Sequence, residues 1–354
     1  MRIKMSFINF FLKIKEHFSI SKDIKNILEI NEQKIKYIPD EQDLMYDNNQ
    51  NDIERFKEYF LPIMLDNNFL QIYKNTIKNL PQESVLELSK IVLRIFTAVS
   101  TPANQKIDLF TASEKEILKH IQGDFERCIL MLSEEDWAYC QYFLPENHFE
   151  SQIFFDKLNY NHLHNKNLFR NRDILDVGGF IGDTALILSE WTDRHVYIFE
   201  PLEENCVKCK KTLEKNNIKN AIIEKVALGT DGYSSTFYID NGGASSFFPR
   251  KGIPYIESKD ITTISLDSYM KDKNINPGLI KVDIEGFEQE FLLGSQETIK
   301  KYKPDIMISI YHKGHDLFFI KTIIESWNLG YSFRIWKPIN RKIVGEAMLI
   351  CEQK

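Results

Sequence analysis

Three groups of residues in this chain have types and spacings that could do chemistry. The first is the run Asp-Val-Gly-Gly-Phe-Ile-Gly at positions 176–182, which sits where a short apolar stretch gives way to a helical pattern. Glycines at such a junction let the backbone turn tightly and approach a ligand, while the following helix start offers N–H donors. The second is Glu200, which closes the next apolar run, where an acid can accept hydrogen bonds from both hydroxyls of an adenosine ribose. Charge-assisted bonds of that kind contribute roughly 1.5–3 kcal/mol each. The two features together imply a site for a nucleoside cofactor.

Gly178, Gly179 and Gly182 fall as G-G-x-x-G, not as the G-x-G-x-x-G of dinucleotide sites. Asp176 precedes them at a strand end, where a carboxylate would repel a pyrophosphate and attract the ammonium of a methionine moiety. The electrostatics therefore favour S-adenosylmethionine over NAD. An NAD-linked oxidoreductase on the same fold stands as the alternative.

The third group is Asp283, Glu285 and His312, near the ends of two later apolar runs. Each could take a proton from a hydroxyl acceptor. The same three could hold magnesium or manganese, but three ligands from two loops make a thin donor set, and a divalent metal is not favoured. Lys313 and His315 follow His312 and could hold an acceptor's hydroxyls or a phosphate. Residues 229–260 read as an acceptor-facing loop carrying Ser245, Ser246 and Arg250, the last suited to a phosphate.

These residues need elements to position them. From residue 173 onward the pattern alternates strand and helix: apolar runs at 174–177, 196–199, 221–228, 279–283 and 305–310, with helices at 183–191, 203–216, 287–301 and 317–329. Such alternation predicts right-handed βαβ units and a mostly parallel, doubly wound sheet. Runs at 331–336 and 347–351 predict a closing antiparallel hairpin at or near the sheet edge. Before residue 165 glycine is nearly absent and apolar spacing is mainly helical, at 53–64, 85–99, 112–121 and 126–143. Thr111 and Ser133 are placed to cap helix starts. Residues 40–52 are polar and acidic, and read as a solvated loop.

The ordered motifs Asp176 to Gly182, Phe199-Glu200-Pro201, Val226-Ala227-Leu228-Gly229, Gly243-Ala244-Ser245-Ser246, Ser265-Leu266-Asp267 and the run Ile-Lys-Val-Asp-Ile-Glu-Gly-Phe-Glu at 280–288 together resemble the FkbM family of S-adenosylmethionine-dependent methyltransferases. The resemblance covers about residues 165–354. It implies a Rossmann-like class I methyltransferase sheet over 166–354 behind a mainly helical N-terminal domain over 1–165. It further implies O-methylation of a hydroxyl on a carbohydrate, such as a nucleotide-linked sugar or a bacterial capsule or surface-glycan precursor, or on a lipid or polyketide. Gly178, Gly179 and Gly182 would cradle the methionine part, with Asp183 and Thr184 nearby. Glu200 would hold the ribose, Pro201 and Ala227 would flank the adenine, and Asp283 would stand where methyl and acceptor meet. The family's first motif carries Ala-Asn where this chain has Gly179 and Phe180; the resemblance still places Phe180 beside the cofactor through the loop backbone, while the Asn's own side-chain contact is not carried over.

Composition bounds the remainder. With 354 residues, 43% of them hydrophobic, the chain can build a substantial core. Forty-five basic residues against fifty-one acidic ones argue against a general nucleic-acid binder. Five cysteines make no disulfide scaffold, which points to a cytoplasmic protein; Cys206 and Cys209 read as two cysteines on one helix. The apolar run near the N-terminus is too short to span a bilayer. Phe7, Phe10, Phe11 and Ile14 could share a helical face that packs on this chain, on a second copy in a homo-oligomer, or on a membrane surface.

Overall fold

The computed structural model describes residues 29–30, 41–240, 245–246 and 255–354. Apolar, β-branched runs between glycines and polar turns become the strands β1 (Asp173–Val177), β2 (Val196–Phe199), β3 (Ala221–Glu224), β4 (Pro277–Val282) and β5 (Asp305–Ser309). All are parallel to their neighbours among these five. The closing hairpin is β6 (Tyr331–Trp336) and β7 (Met348–Gln353), and β7 runs antiparallel to both β5 and β6. The sheet order is β3-β2-β1-β4-β5-β7-β6, so the last strand inserts inside and β6 forms the edge. The crossovers carry α1 (Asp183–Leu188), α2 (Glu203–Lys215), α3 (Glu288–Leu293), α4 (Gln296–Tyr302) and α5 (Gly314–Ser326). β1, β4 and β5 are buried along their whole length, as expected for strands covered on both faces.

Two expected elements divide. The helix expected over 287–301 breaks between α3 and α4 at Gly294, where an added Cβ would lie 1.8 Å from the Gly229 carbonyl oxygen. The strand expected over 221–228 ends at Glu224, and Ala227–Leu228 leaves the sheet to pair in parallel with Tyr255–Ile264. The segment read as a loop over 229–260 is largely a β-hairpin, with Ser234–Asp240 antiparallel to Tyr255–Ile264.

Helices Phe69–Ile77 and Gln82–Ser100 lie against the same core as the sheet. Leu88, Ile91, Ile95 and Ala98, spaced for one helical face, are fully buried in a cluster that includes Ile306, Phe318 and Leu349. Thr76 donates to the Phe318 carbonyl at 2.9 Å, and Ser84 accepts from the Ile335 amide at 2.9 Å. Thr111 forms the expected cap, with Glu114 reaching back to the Thr111 amide at 2.8 Å.

The helix expected over 126–143 is instead a three-stranded meander of Leu130–Ser133, Asp136–Tyr139 and Tyr142–Leu144. Its aromatic residues favour a pleated, half-buried surface. Ser133 caps no helix: its hydroxyl donates to Asp136 at 2.8 Å across the hairpin turn. The N-terminal amphipathic pattern of Phe7, Phe10, Phe11 and Ile14 lies outside the described residues. Among the described residues no helix is long and apolar enough to cross a membrane.

Candidate functional site

A cavity of about 600 Å³ opens at the carboxyl ends of β1, β2 and β4, within the size range of small-molecule sites. Its shape depends on Gly178, whose φ of 83° places it in the left-handed region and whose Cβ would meet the Asp283 carbonyl oxygen at 1.8 Å. The Gly178 and Gly179 amides donate to the Phe199 carbonyl at 3.0 and 3.1 Å, so the loop contributes its path more than those donors. Of the residues expected around a cofactor, Gly178, Phe180, Asp183, Thr184, Glu200, Pro201, Ala227 and Asp283 all line this cavity. Gly179 and Gly182 instead give close passage to Ile198 and Cys209.

Asp176 departs from its expected role. Its carboxylate meets Lys281 at 3.1 Å and accepts from the Thr184 hydroxyl at 2.5 Å, and it does not border the cavity. The two residues are register partners across β1 and β4, so the pairing follows directly from the sheet. Glu200 is almost wholly buried and accepts from the amides of Phe180 (3.0 Å) and Leu202 (2.9 Å) and from Asn205 (3.2 Å). Burial raises its pKa to about 7, against the opposing effect of those hydrogen bonds.

Asp283, Glu285 and His312 come together as the spacing suggested. His312 Nε2 lies 3.6 Å from Asp283 and 3.4 Å from Glu285, while Nδ1 lies 2.9 Å from Glu288. Glu288 is fully buried and also accepts from the Ile284 amide at 3.0 Å. Burial alone would lower the His312 pKa, but Glu288, Glu285 and Asp283 outweigh it and raise the value to about 9. The imidazole is therefore a cation at neutral pH, which corrects its expected candidacy as a base. Burial raises Asp283 to about 6, with His312 and Lys281 pulling the other way. The Tyr311 phenol, held protonated chiefly by burial, donates to Asp283 at 3.3 and 3.4 Å. Asp283, Glu288 and His312 have the mutual distances of a metal-holding trio. The protonated imidazole already supplies their counter-charge, and the donor set does not fit a resident metal better than a proton.

Neither Lys313 nor His315 reaches the cavity. Lys313 donates to the Gly286 carbonyl at 2.7 Å, and His315 is exposed beside Phe319. Ser245 and Ser246 pair with Ile239 and Tyr238 in the hairpin, and Arg250 lies outside the described residues. Cys206 and Cys209 share α2, and burial raises both thiols.

The polar stretch read as a solvated loop contributes Tyr46, Asp47, Asn49 and Asp52 to a wall of the cavity, and Arg55 follows at the end of the helix Gln50–Arg55. Arg55 donates to the Tyr311 carbonyl and so ties this wall to the loop bearing His312. His148 and Glu150 add a second wall, and the loop before β7 adds Lys342 and Glu346. A signal for Glu288 and Lys281 was present, since both lie inside the motif at 280–288. Nothing local announced the walls.

The strand order, the inserted antiparallel β7 and a cavity at the strand ends define a class I methyltransferase fold. Residues 176–333 match the family model of the methyltransferase FkbM domain. Among solved structures, it is similar to methyltransferase FkbM from Methylobacillus flagellatus KT, with 17% identity, a TM-score of 0.49, and coverage of 80% of this chain and 58% of that one. It also resembles the ribosomal protein L11 methylase of Lactobacillus delbrueckii subsp. bulgaricus, with 13% identity, a TM-score of 0.35, and coverage of 59% and 80%. A third is Aeropyrum pernix fibrillarin with natively bound S-adenosyl-L-methionine, with 10% identity, a TM-score of 0.32, and coverage of 52% and 68%. The chain thus spans 58% of the length of the Methylobacillus protein. No curated protein matches it.

Proposed function

We propose that this protein transfers a methyl group from S-adenosylmethionine to a hydroxyl of a carbohydrate, such as a nucleotide-linked sugar or a surface-glycan precursor. The observation that carries the reading is Asp283, a cavity-facing carboxylate with a pKa near neutrality, inside the segment that matches the FkbM methyltransferase domain. The residues fit the donor: Glu200 offers a carboxylate at the ribose end, Pro201 and Ala227 offer apolar walls, and Gly178 leaves the cavity floor open. Bound there, S-adenosylmethionine supplies an electrophilic methyl on a cationic sulfur.

The chain supplies position and a proton acceptor. Walls from residues 46–55, 148–150 and 342–346 hold the acceptor above the strand ends, and fixing its hydroxyl in line accounts for much of the acceleration. Asp283 takes the hydroxyl proton. Protonated His312, anchored by Glu288, keeps Asp283 ionised close to neutral pH and orients it. A hydroxyl-rich acceptor suits a wall of acids, amides, arginine and tyrosine better than an apolar chain does.

The test is thermal denaturation with S-adenosylmethionine or NAD, followed by a mass screen of sugars and nucleotide sugars for the gain of one methyl group. Stabilisation by S-adenosylmethionine alone and a methylated sugar are expected. Stabilisation by NAD alone would overturn the reading.

A further inference from the structure

This inference rests on the reading that the donor is S-adenosylmethionine. The acid that motif position nominates for the donor's ammonium is Asp176, which is already paired with Lys281, accepts from Thr184 and does not border the cavity. Another pair of carboxylates does border it. Asp183 begins α1, its side chain is 5% exposed, and His148 Nε2 is 3.7 Å from its Oδ2, beyond hydrogen-bond length. Glu150 comes from the N-terminal part of the chain, and its Oε2 lies 3.9 Å from the same His148 nitrogen. Ligand-capable atoms of Asp183, Glu150 and His148 all lie within 4.8 Å of one another.

Glu150 is aimed by Gln152, whose amide donates to Glu150 at 2.7 Å and to Glu346 at 3.0 Å. Glu346 in turn holds Lys342 at 2.8 Å. Burial raises the pKa of Asp183, and burial with the neighbouring Glu346 raises that of Glu150. Carboxylates gathered in this way gain when a cation arrives between them. The cluster lies at the first turn of α1, which follows the glycine loop, and it lines the same cavity as Glu200.

We propose that Asp183 and Glu150 receive the α-ammonium of the donor's methionine moiety, so that the N-terminal part of the chain completes the donor site. An ammonium presents three N–H donors to two carboxylates, which matches the group better than a divalent ion does. Magnesium demands a near-octahedral oxygen shell, and here Gln152 already engages one Glu150 oxygen while the His148 ring packs on Phe180 at 4.8 Å.

Calorimetric titration of the full-length chain with S-adenosylhomocysteine and with 5′-methylthioadenosine tests this, since the second ligand keeps the nucleoside and thioether but lacks the amino-acid head. Wild type should bind S-adenosylhomocysteine more tightly. Glu150→Gln and Asp183→Asn should each weaken that ligand about ten- to a hundredfold while leaving methylthioadenosine unchanged, which also reports that the variant site is folded. If wild type binds neither ligand, the donor reading itself fails. If wild type binds both and the variants weaken both equally or neither, the donor reading stands and the ammonium assignment is overturned. Manganese binding to the ligand-free chain that Glu150→Gln abolishes would overturn it as well.

Discussion

The ends of β1 and β4 sit side by side in the sheet, and each carries a carboxylate, that of Asp176 buried and that of Asp283 partly exposed. Asp176 meets the Lys281 ammonium at 3.1 Å and the Thr184 hydroxyl at 2.5 Å. Asp283, a few residues along the neighbouring strand end, meets an imidazole at 3.6 Å that it shares with Glu285 and Glu288. The first acid has an ammonium in direct contact and faces the interior. The second has an imidazole farther off, divided among three carboxylates, with Lys281 acting at a distance; it faces the cavity and has its pKa raised by burial to about 6. Sequence position alone made both look like ligand contacts. What separates them is how much positive charge each neighbour leaves for it.

The contrast can be broken in several ways, beginning with the contact between the two strand ends. Gly178→Ala would press a Cβ against the Asp283 carbonyl in a left-handed backbone, and loss of S-adenosylhomocysteine binding by calorimetry is expected. Retained affinity would mean that the two ends are not packed as described. Lys281→Met, which leaves Asp176 buried without its cation, should cost about 3–5 kcal/mol in urea denaturation. Asp283→Asn should stay within about 1 kcal/mol of wild type. Similar losses at the two positions would erase the distinction.

Smaller effects sharpen it. His312 lowers the pKa of Asp283, so His312→Gln should move the acid limb of kcat upward from its position near pH 6. An unmoved limb would remove Asp283 from the proton transfer. His312 itself has a folded pKa of about 9 against an ordinary 6.5. Its stabilising contribution is therefore complete below about pH 6.5 and is lost as pH rises through 9. Denaturation midpoints should fall across that window in wild type and much less in His312→Gln.

The alternation of strands and helices after residue 173 was legible because each strand is short, apolar and bounded by glycine or polar turns. The glycine loop, Glu200 and Asp283 were legible for the same reason, since strand ends and tight turns are written locally. The walls were not. Asp47, Asn49 and Asp52 read as part of a solvated loop but line the cavity, and what anchors their segment is distant, as where the Asn48 amide donates to the Ala98 carbonyl at 3.0 Å. The meander at 130–144 was read as helix because apolar residues at three- and four-residue intervals fit either period until a partner strand is present. The neutralisation of Asp176 is a matter of register, because Lys281 must lie opposite it.

Methyl transfer from labelled S-adenosylmethionine to a panel of sugars and nucleotide sugars, run with wild type and Asp283→Asn side by side, tests the central claim most directly. The account predicts a product one methyl group heavier with wild type. It predicts turnover lower by about 10²- to 10⁴-fold with Asp283→Asn, at nearly unchanged affinity for S-adenosylhomocysteine. Equal turnover by the two proteins would contradict it.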